Sequence, residues 1–507
     1  MVIFAVCRRV CAYIHASEEQ KTMLEKLAKQ TAIYGISTIL GRFLSYLLTP
    51  FYTRIFGVET YGIITDVYAL IPFALVLLTL GMESSYFRFT AKAEAQGGDV
   101  AQAKQKIYST MWGITSLAAV IFFVVVAIFS QEFSAAMGEA YVANPEYVII
   151  VAAIILFDVA GAIPFARLRE GGKALKYVIF KLANIVMQVG FAVLFWAVGL
   201  FDTEFGVGWA FVANLIASAI TTLFITIPGR HIPKIHWAML GAIFAYSLPL
   251  LISSIAGTAG ELLDRQLIKY LVPEGAMAQL GIYGAITKIA VIMTLFTQMY
   301  RLAAEPFFLS NFRKEEFVET NAAAMKYYIL VSMLIFLGIA LYRDLFALIV
   351  GSNFREGIFI LPVVLGANVL SGVWLNLSFW YKREEKTQFA LWVTLSGVAA
   401  SVVAGYLLIP GFGYYGAAWS RFIAEMVMVS VSLVLNRIYF PTPYEFKRIA
   451  EFVAVALALF IVAECVAVDN IWIKYTINTA LFVLYLRYAV RREKIDIKGV
   501  IKAVLRR

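Results

Sequence analysis

The chain returns repeatedly to apolar runs of about 20 residues, divided by short connections that hold most of its charge. As a helix, at about 1.5 Å per residue, such a run is long enough to cross a hydrocarbon core. Backbone groups that water cannot reach must bond within the protein, which leaves helices or closed barrels, and unbroken runs of this length are helical. Windows with few charges place spans near 31–55, 62–82, 107–130, 146–168, 175–199, 207–228, 239–270, 278–302, 323–343, 356–381, 387–409, 414–436, 447–467 and 470–489. The expected fold is therefore an all-α integral membrane protein of about 14 helices, with every connection too short for a soluble domain.

Composition agrees. The 507 residues are 61% hydrophobic and 15% charged, against about 45–50% and about 25% in soluble domains. The net charge of +10 does not indicate nucleic acid, because the basic residues are spread between apolar segments instead of forming a patch. Cys7, Cys11 and Cys465 are too few and scattered for a disulfide framework or a tetrahedral metal site. His15, His231 and His236 give a histidine-based metal or nucleophile site nothing to build on. No Walker lysine motif, HExxH or nucleophile elbow is visible, so the reading is not an enzyme and calls for no cofactor.

Residues 1–22 hold an apolar run too short to span, followed by Arg8 and Arg9 where a signal peptide would have them precede it. Met23 opens a compact basic lead into the first span, and we read it as the start of translation. Numbering the connections alternately puts 33 of the 43 Lys and Arg residues on one side and 6 on the other, with Arg42, Lys181, Lys288 and Arg421 inside spans. That bias places both termini in the cytoplasm.

An internal repeat orders the spans. Tyr61-Gly62 opens a segment ending at Glu83, and Tyr283-Gly284 opens one ending at Glu305; both Gly-to-Glu separations are 21 residues. Phe205-Gly206-x-x-Trp209 matches Tyr415-Gly416-x-x-Trp419, and the basic turns at Lys173 and Lys386 correspond. Six helices are thus repeated in the same orientation. Parallel repeats of this kind form two lobes with the substrate between them. The limits read from the sequence are an extension at 1–22, an N-lobe at 23–236, a C-lobe at 237–440, and two further helices with a basic tail at 441–507.

Charges inside spans are costly unless they face water or a partner, so they mark candidate sites. In the first span Thr38, Arg42, Ser45, Thr49 and Tyr52 fall on one helical face. Arg42 could take a diphosphate or an acidic sugar bidentately, or pair with an acid on a neighbouring helix. The seventh span carries Glu261, Asp264, Arg265 and Lys269 on one face, either lining a cavity or protruding beyond the membrane. Lys288, with Thr294 and Gln298, and Lys181, with Asn184 and Gln188, are further cationic candidates that could equally snorkel. Asp66 and Asp158 are candidates for a coupling proton, whereas Glu425 is read as the partner of Arg421 four residues before it. Glu83 and Glu305 read as gate or structural salt-bridge residues, with Arg88 and Arg301 nearby. Of the aromatics, Tyr34, Tyr46 and Tyr52 lie beside the polar stripe and could stack on sugars.

The run GRFLSYLLTPFYTRIFGVETYGI, the Glu-containing end of the second span, the repeated YG turns and the GYYGAAW lead into the twelfth span resemble Wzx-type polysaccharide biosynthesis proteins. These are members of the multidrug/oligosaccharidyl-lipid/polysaccharide exporter (MOP) superfamily. The resemblance implies MATE-like V-shaped lobes of six helices each. It also implies flipping of polyprenyl-diphosphate-linked oligosaccharide across the bacterial inner membrane, in company with other polysaccharide assembly proteins; O-antigen and lipopolysaccharide synthesis are the pathways that fit. The alternatives are a multidrug or metabolite antiporter, or a lipid II flippase, of the same fold. A membrane glycan polymerase or ligase would need a sizeable outward loop, and all outward loops here are short.

Overall fold

The computed structural model describes residues 46–226, 234–311, 317–384, 386, 388–466 and 470–494. Every regular element among them is a helix, and the chain forms two compact units that divide between Gly281 and Ile282. Of the residues singled out above, Tyr34, Thr38, Arg42, Ser45 and the proposed start at Met23 lie outside the described residues, as does the side chain of Glu261.

In the first unit the helices are α1 (Leu48–Ile55), α2 (Val58–Thr79), α3 (Met82–Gln96), α4 (Val100–Ile128), α5 (Ser130–Met137), α6 (Glu139–Val142), α7 (Glu146–Glu170), α8 (Ala174–Ala197), α9 (Gly208–Thr226) and α10 (Trp237–Leu271). The second span of the sequence, expected at 62–82, stops at Thr79, because Leu80 and Gly81 both take left-handed backbone angles with φ of 54° and 67°. Gly81 meets two demands there. Its φ suits a residue without Cβ, and a Cβ would stand 2.6 Å from the Ser247 carbonyl oxygen on α10. Helix α7 lies at the centre, packed against α2, α3, α4, α8 and α9. Small residues let α9 approach it. Ala213, Ala217 and Ser218 are buried, and a Cβ on Gly161 would lie 3.0 Å from Thr222 Oγ1.

Helix α11 (Ala276–Ile289) carries the chain from one unit into the next. Its first turns press on α2: a Cβ on Gly62 would sit 2.0 Å from the Met277 carbonyl oxygen, and one on Gly281 would sit 2.0 Å from that of Val58. Only glycine fits at either position.

The second unit continues with α12 (Val291–Asn311), α13 (Phe317–Ala340), α14 (Arg343–Ala347), α15 (Leu361–Arg383), α16 (Gln388–Tyr439), α17 (Phe446–Cys465) and α18 (Ile471–Arg492). The eighth span, expected as one helix, is the bent pair α11–α12, with 50° between its arms. Bending frees carbonyls near the break, and Asn368 Nδ2 reaches that of Ala290 at 3.4 Å. Gly413, with φ 55° and ψ −132°, interrupts α16, so its 52 residues are two helices joined at a tight break. Helices α17 and α18 are pinned to the rest of the unit at both ends. At one end Lys326 bonds Glu445 at 2.8 Å and Glu493 at 3.1 Å, and Arg448 bonds Glu493 at 3.1 Å. The Lys326 hydrogen bond holds the Glu445 carboxyl below its ordinary pKa. At the other end Arg343 meets Glu464 at 2.8 Å and Lys474 meets Asp344.

Among the described residues nine helices are long and apolar enough to cross a membrane, or ten with the bent pair. Helices α17 and α18 fall outside that count, the charges at their ends lowering their apolar character.

The glycine contact makes a testable demand. Substitution of Gly281 by Leu should cost more than the usual penalty of about 1–3 kcal/mol for overpacking, since a main-chain carbonyl blocks the new atoms. Replacing Gly190, where an added Cβ would meet nothing within 4 Å, should be near neutral. Thermal unfolding of both purified variants measures the contrast.

Candidate functional site

An ionised side chain enclosed by apolar helices must find its partners inside the protein. Asp66, on α2 one turn after Gly62, is completely buried. Its two carboxylate oxygens collect three donors. Gln266 Nε2 bonds Oδ1 at 2.7 Å; Tyr141 Oη at 2.7 Å and Lys269 Nζ at 2.5 Å both bond Oδ2. Gln266 and Lys269 are three residues apart on α10, hence on one face. Tyr141 comes from the short helix α6 and is itself fully buried.

The segment holding α5 and α6 closes over this group. The Lys269 ammonium lies 5.0 Å from the centre of the Tyr141 ring, and Tyr270 Oη donates to the Ala136 carbonyl at 3.2 Å. Gly138 of the connecting turn takes φ +106°, and a Cβ added there would come within 4.0 Å of the Lys269 side chain. One turn earlier on α10, Asp264 is 1% exposed with the Arg265 guanidinium 3.9 Å away, and Tyr61 of α2 lies beside Arg265.

A second polar set runs along α8. Lys181, Asn184 and Gln188 share a helical face, as their spacing predicts, and the structure gives each a neighbour. The Lys181 ammonium stands 4.2 Å over the Phe165 ring, Asn184 bonds Thr221 Oγ1 at 3.2 Å, and Gln188 bonds Tyr68 Oη at 3.1 Å. Asp158 of α7 faces Ser218 and Lys181 across the same helices. The first unit thus contains a polar ladder within an otherwise apolar bundle.

Several expectations from the sequence change here. The charged face of α10 does not protrude: Lys269 is 8% exposed, because it is drawn in to Asp66. Tyr52 cannot stack on a sugar in this conformation, since it is 2% exposed and its ring is enclosed by Phe51, Phe56 and Phe201. Its hydroxyl has no hydrogen-bond partner among the described residues. Glu83 pairs with Arg169 of α7, while the Arg88 guanidinium carbon instead stands 3.9 Å over the centre of the Tyr246 ring. Glu305 pairs with Lys382 of α15 at 2.8 Å as well as with Arg301 at 3.3 Å. Lys288 is half-buried in the last turn of α11, two residues before the bend. Arg421 reaches Asn368 Oδ1 at 3.4 Å. Tyr141 and Gln266 were not foreseen. The only hint of either was Gln266 sharing a face with Lys269.

Among the described residues, no group of three or more His, Cys, Asp or Glu side chains is arranged to hold a metal.

The model of the polysaccharide biosynthesis protein family matches residues 27–312. No curated protein matches the chain. Among solved structures, the lipid II flippase MurJ in an inward closed conformation superposes with a TM-score of 0.72 at 15% identity, covering 92% of this chain and 100% of that one. An inward-facing multidrug resistance MATE family transporter of the MOP superfamily gives 0.65 at 16% identity, covering 80% and 94%. Its outward-facing counterpart gives 0.55 at 16%, covering 81% and 95%. At such identities the likeness is one of fold.

The buried pair has a signature in stability. Asp66→Ala or Lys269→Ala alone should cost about 3–5 kcal/mol, because each strands an opposite charge, whereas Asp66→Leu combined with Lys269→Met should recover most of the loss. Unfolding of the single and double variants in detergent tests this; additive losses would mean that the two groups do not form a unit.

Proposed function

The chain belongs to the polysaccharide biosynthesis protein family, and from that premise we propose that it is a secondary transporter that flips a polyprenyl-diphosphate-linked oligosaccharide by alternating access. The observation that carries the reading is the family match over residues 27–312, joined to a fold shared with a lipid II flippase along 92% of the chain. Cations inside the spans fit an anionic headgroup. Arg42, Lys181, Arg265 and Lys288 would engage the diphosphate or acidic sugars, and Thr38, Ser45 and Tyr52 would donate to sugar hydroxyls once Tyr52 leaves its aromatic nest. The polyprenyl tail would stay in lipid.

Asp66 and Asp158 are the coupling candidates. Asp66 already accepts three donors inside the protein. It would take a proton only after α6 and the Lys269 end of α10 let go, so proton uptake and a change of conformation would be one event. Glu83, Glu305, Glu261 and Asp264 would act as gating residues, with Glu83 and Glu305 exchanging their present ion pairs. The bias of basic residues supports cytoplasmic termini, the family match supports a bacterial inner-membrane protein, and the internal repeat supports working lobes at 23–236 and 237–440. Lipopolysaccharide or O-antigen assembly is the setting that fits, beside the other proteins of that assembly.

A second reading, export of a drug or metabolite, is favoured by the likeness to MATE transporters. Reconstitution separates the two. Proteoliposomes should flip a defined polyprenyl-diphosphate glycan, and Arg42→Ala should slow flipping by about tenfold, the worth of one charge-assisted hydrogen bond. A wild type that flips no such lipid but exchanges a cationic drug for protons would establish the second reading. Unchanged flipping by Arg42→Ala would remove that residue from the site.

A further inference from the structure

The last helix carries a feature that transport of the substrate does not use. One face of α18 packs into the second unit through Asn478, Tyr485 and Ala489. The opposite face lines a shallow surface groove with Val483, Leu484, Arg487, Tyr488, Arg491 and Arg492. Its apolar part is open to the surroundings, Val483 at 42% and Leu484 at 54% exposure.

The arginines differ from one another. Arg492 is committed: its Nε and Nη2 grip Glu451 at 3.0 and 3.1 Å, and the Tyr488 hydroxyl points at the same carboxylate from 3.5 Å. Arg487 and Arg491 are exposed, and neither guanidinium has a hydrogen-bond or ion-pair partner among the described residues. Standing four residues apart on one helix, they face the same way and repel each other. By contrast, two basic groups packed near this helix, Lys326 of α13 and Arg448 of α17, are neutralised by Glu493. Arg487 and Arg491 have no such partner among the described residues, and they stand next to the exposed apolar side chains of Val483 and Leu484.

We propose that this end of α18 binds an anionic phospholipid, with its phosphodiester between Arg487 and Arg491 and an acyl chain along Val483 and Leu484. The dimensions suit it. Leu484 to Arg491 spans about 10 Å at about 1.5 Å per residue, the step from upper acyl chain to phosphate. Guanidinium groups bind phosphate through paired N–H bonds, and a resident anion would cancel the repulsion between them. The site is also held still: ion pairs to α13 and the segment around α14 anchor both ends of the α17–α18 hairpin, so the two arginines are presented on a fixed helix. Such a lipid would fasten the hairpin to one leaflet, independently of what the protein transports.

The test uses the full chain, purified and depleted of lipid, and titrated with mixed micelles of phosphatidylglycerol or phosphatidylcholine. Bound lipid is counted by native mass spectrometry. Wild type should prefer phosphatidylglycerol, and Arg487→Gln with Arg491→Gln should lose about fivefold in that preference per arginine, the worth of one basic residue at an anionic leaflet. Arg487→Lys with Arg491→Lys, which keeps the charge, should retain binding, as should Lys173→Gln with Lys176→Gln, which removes exposed charges from the start of α8. Equal preference in the double glutamine variant overturns the proposal. So does the same competition from millimolar inorganic phosphate alone, which would mean a phosphate site without a lipid.

Discussion

The first unit is arranged around one constraint: Asp66 has no route to water. A carboxylate enclosed on α2 must be met by donors, and each donor fixes an element. Gln266 and Lys269 set the rotation of α10 about its axis, and Tyr141 sets the position of the α5–α6 segment. The glycines complete the arrangement. Gly62 and Gly81 lie on either side of Asp66 along the chain, and each is a point where a second backbone comes within contact of α2 or its turn. Polar satisfaction fixes orientation; the absence of a Cβ fixes distance. Neither would hold the unit alone, because buried ion pairs add little net stability and close packing without registry can slide.

Much of this was legible in the residues, and the limit is physical. Hydrophobic length marks a span whatever its neighbours are, so the helices and their order could be read directly. Helical periodicity marks a face, so Lys181, Asn184 and Gln188 could be grouped, and Asp264, Arg265 and Lys269 likewise. Periodicity does not say what the face meets. Lys269 could be read as protruding because nothing local reveals that Asp66, 203 residues away, takes its proton donor. Tyr141 was invisible for the same reason: it sits in a short connecting segment, where no period exists to betray a buried side chain. The breaks at Leu80–Gly81 and at Ala290 were also hidden. A membrane span reads as continuous through an apolar break, since hydropathy counts side chains and the break lies in backbone angles. Arg42, the residue on which the sequence placed most weight, falls outside the described residues and keeps the standing the sequence alone gives it.

The two polar sets of the first unit differ in kind, and the difference bears on mechanism. The ladder on α8 is built from amides, hydroxyls and one ammonium over an aromatic ring, contacts of moderate strength that can be exchanged for a ligand or water. The group at Asp66 is enclosed: a completely buried carboxylate held by three donors allows no exchange without prior movement. A set of the first kind can bind a passing polar group in a standing structure. A set of the second kind can only report or drive a change in the structure that holds it.

That distinction assigns the short helices α5 and α6 a consequence beyond connecting α4 to α7. Tyr141 is the one donor to Asp66 that comes from outside the long helices, so it is the one whose departure leaves α2 and α10 in place. Withdrawing it would leave Asp66 with Gln266 and Lys269, and would open the side that Tyr141 now covers. Water reaching Lys269 by that route would lower the cost of separating the pair, because the attraction between two charges falls steeply as the surrounding dielectric rises. In such a movement the geometry favours one order: the segment would lift, the pair would loosen, and only afterwards would α10 turn relative to α2. A mechanism that began with α10 would first have to pull an ammonium from a carboxylate in an apolar setting, the most costly of the available steps.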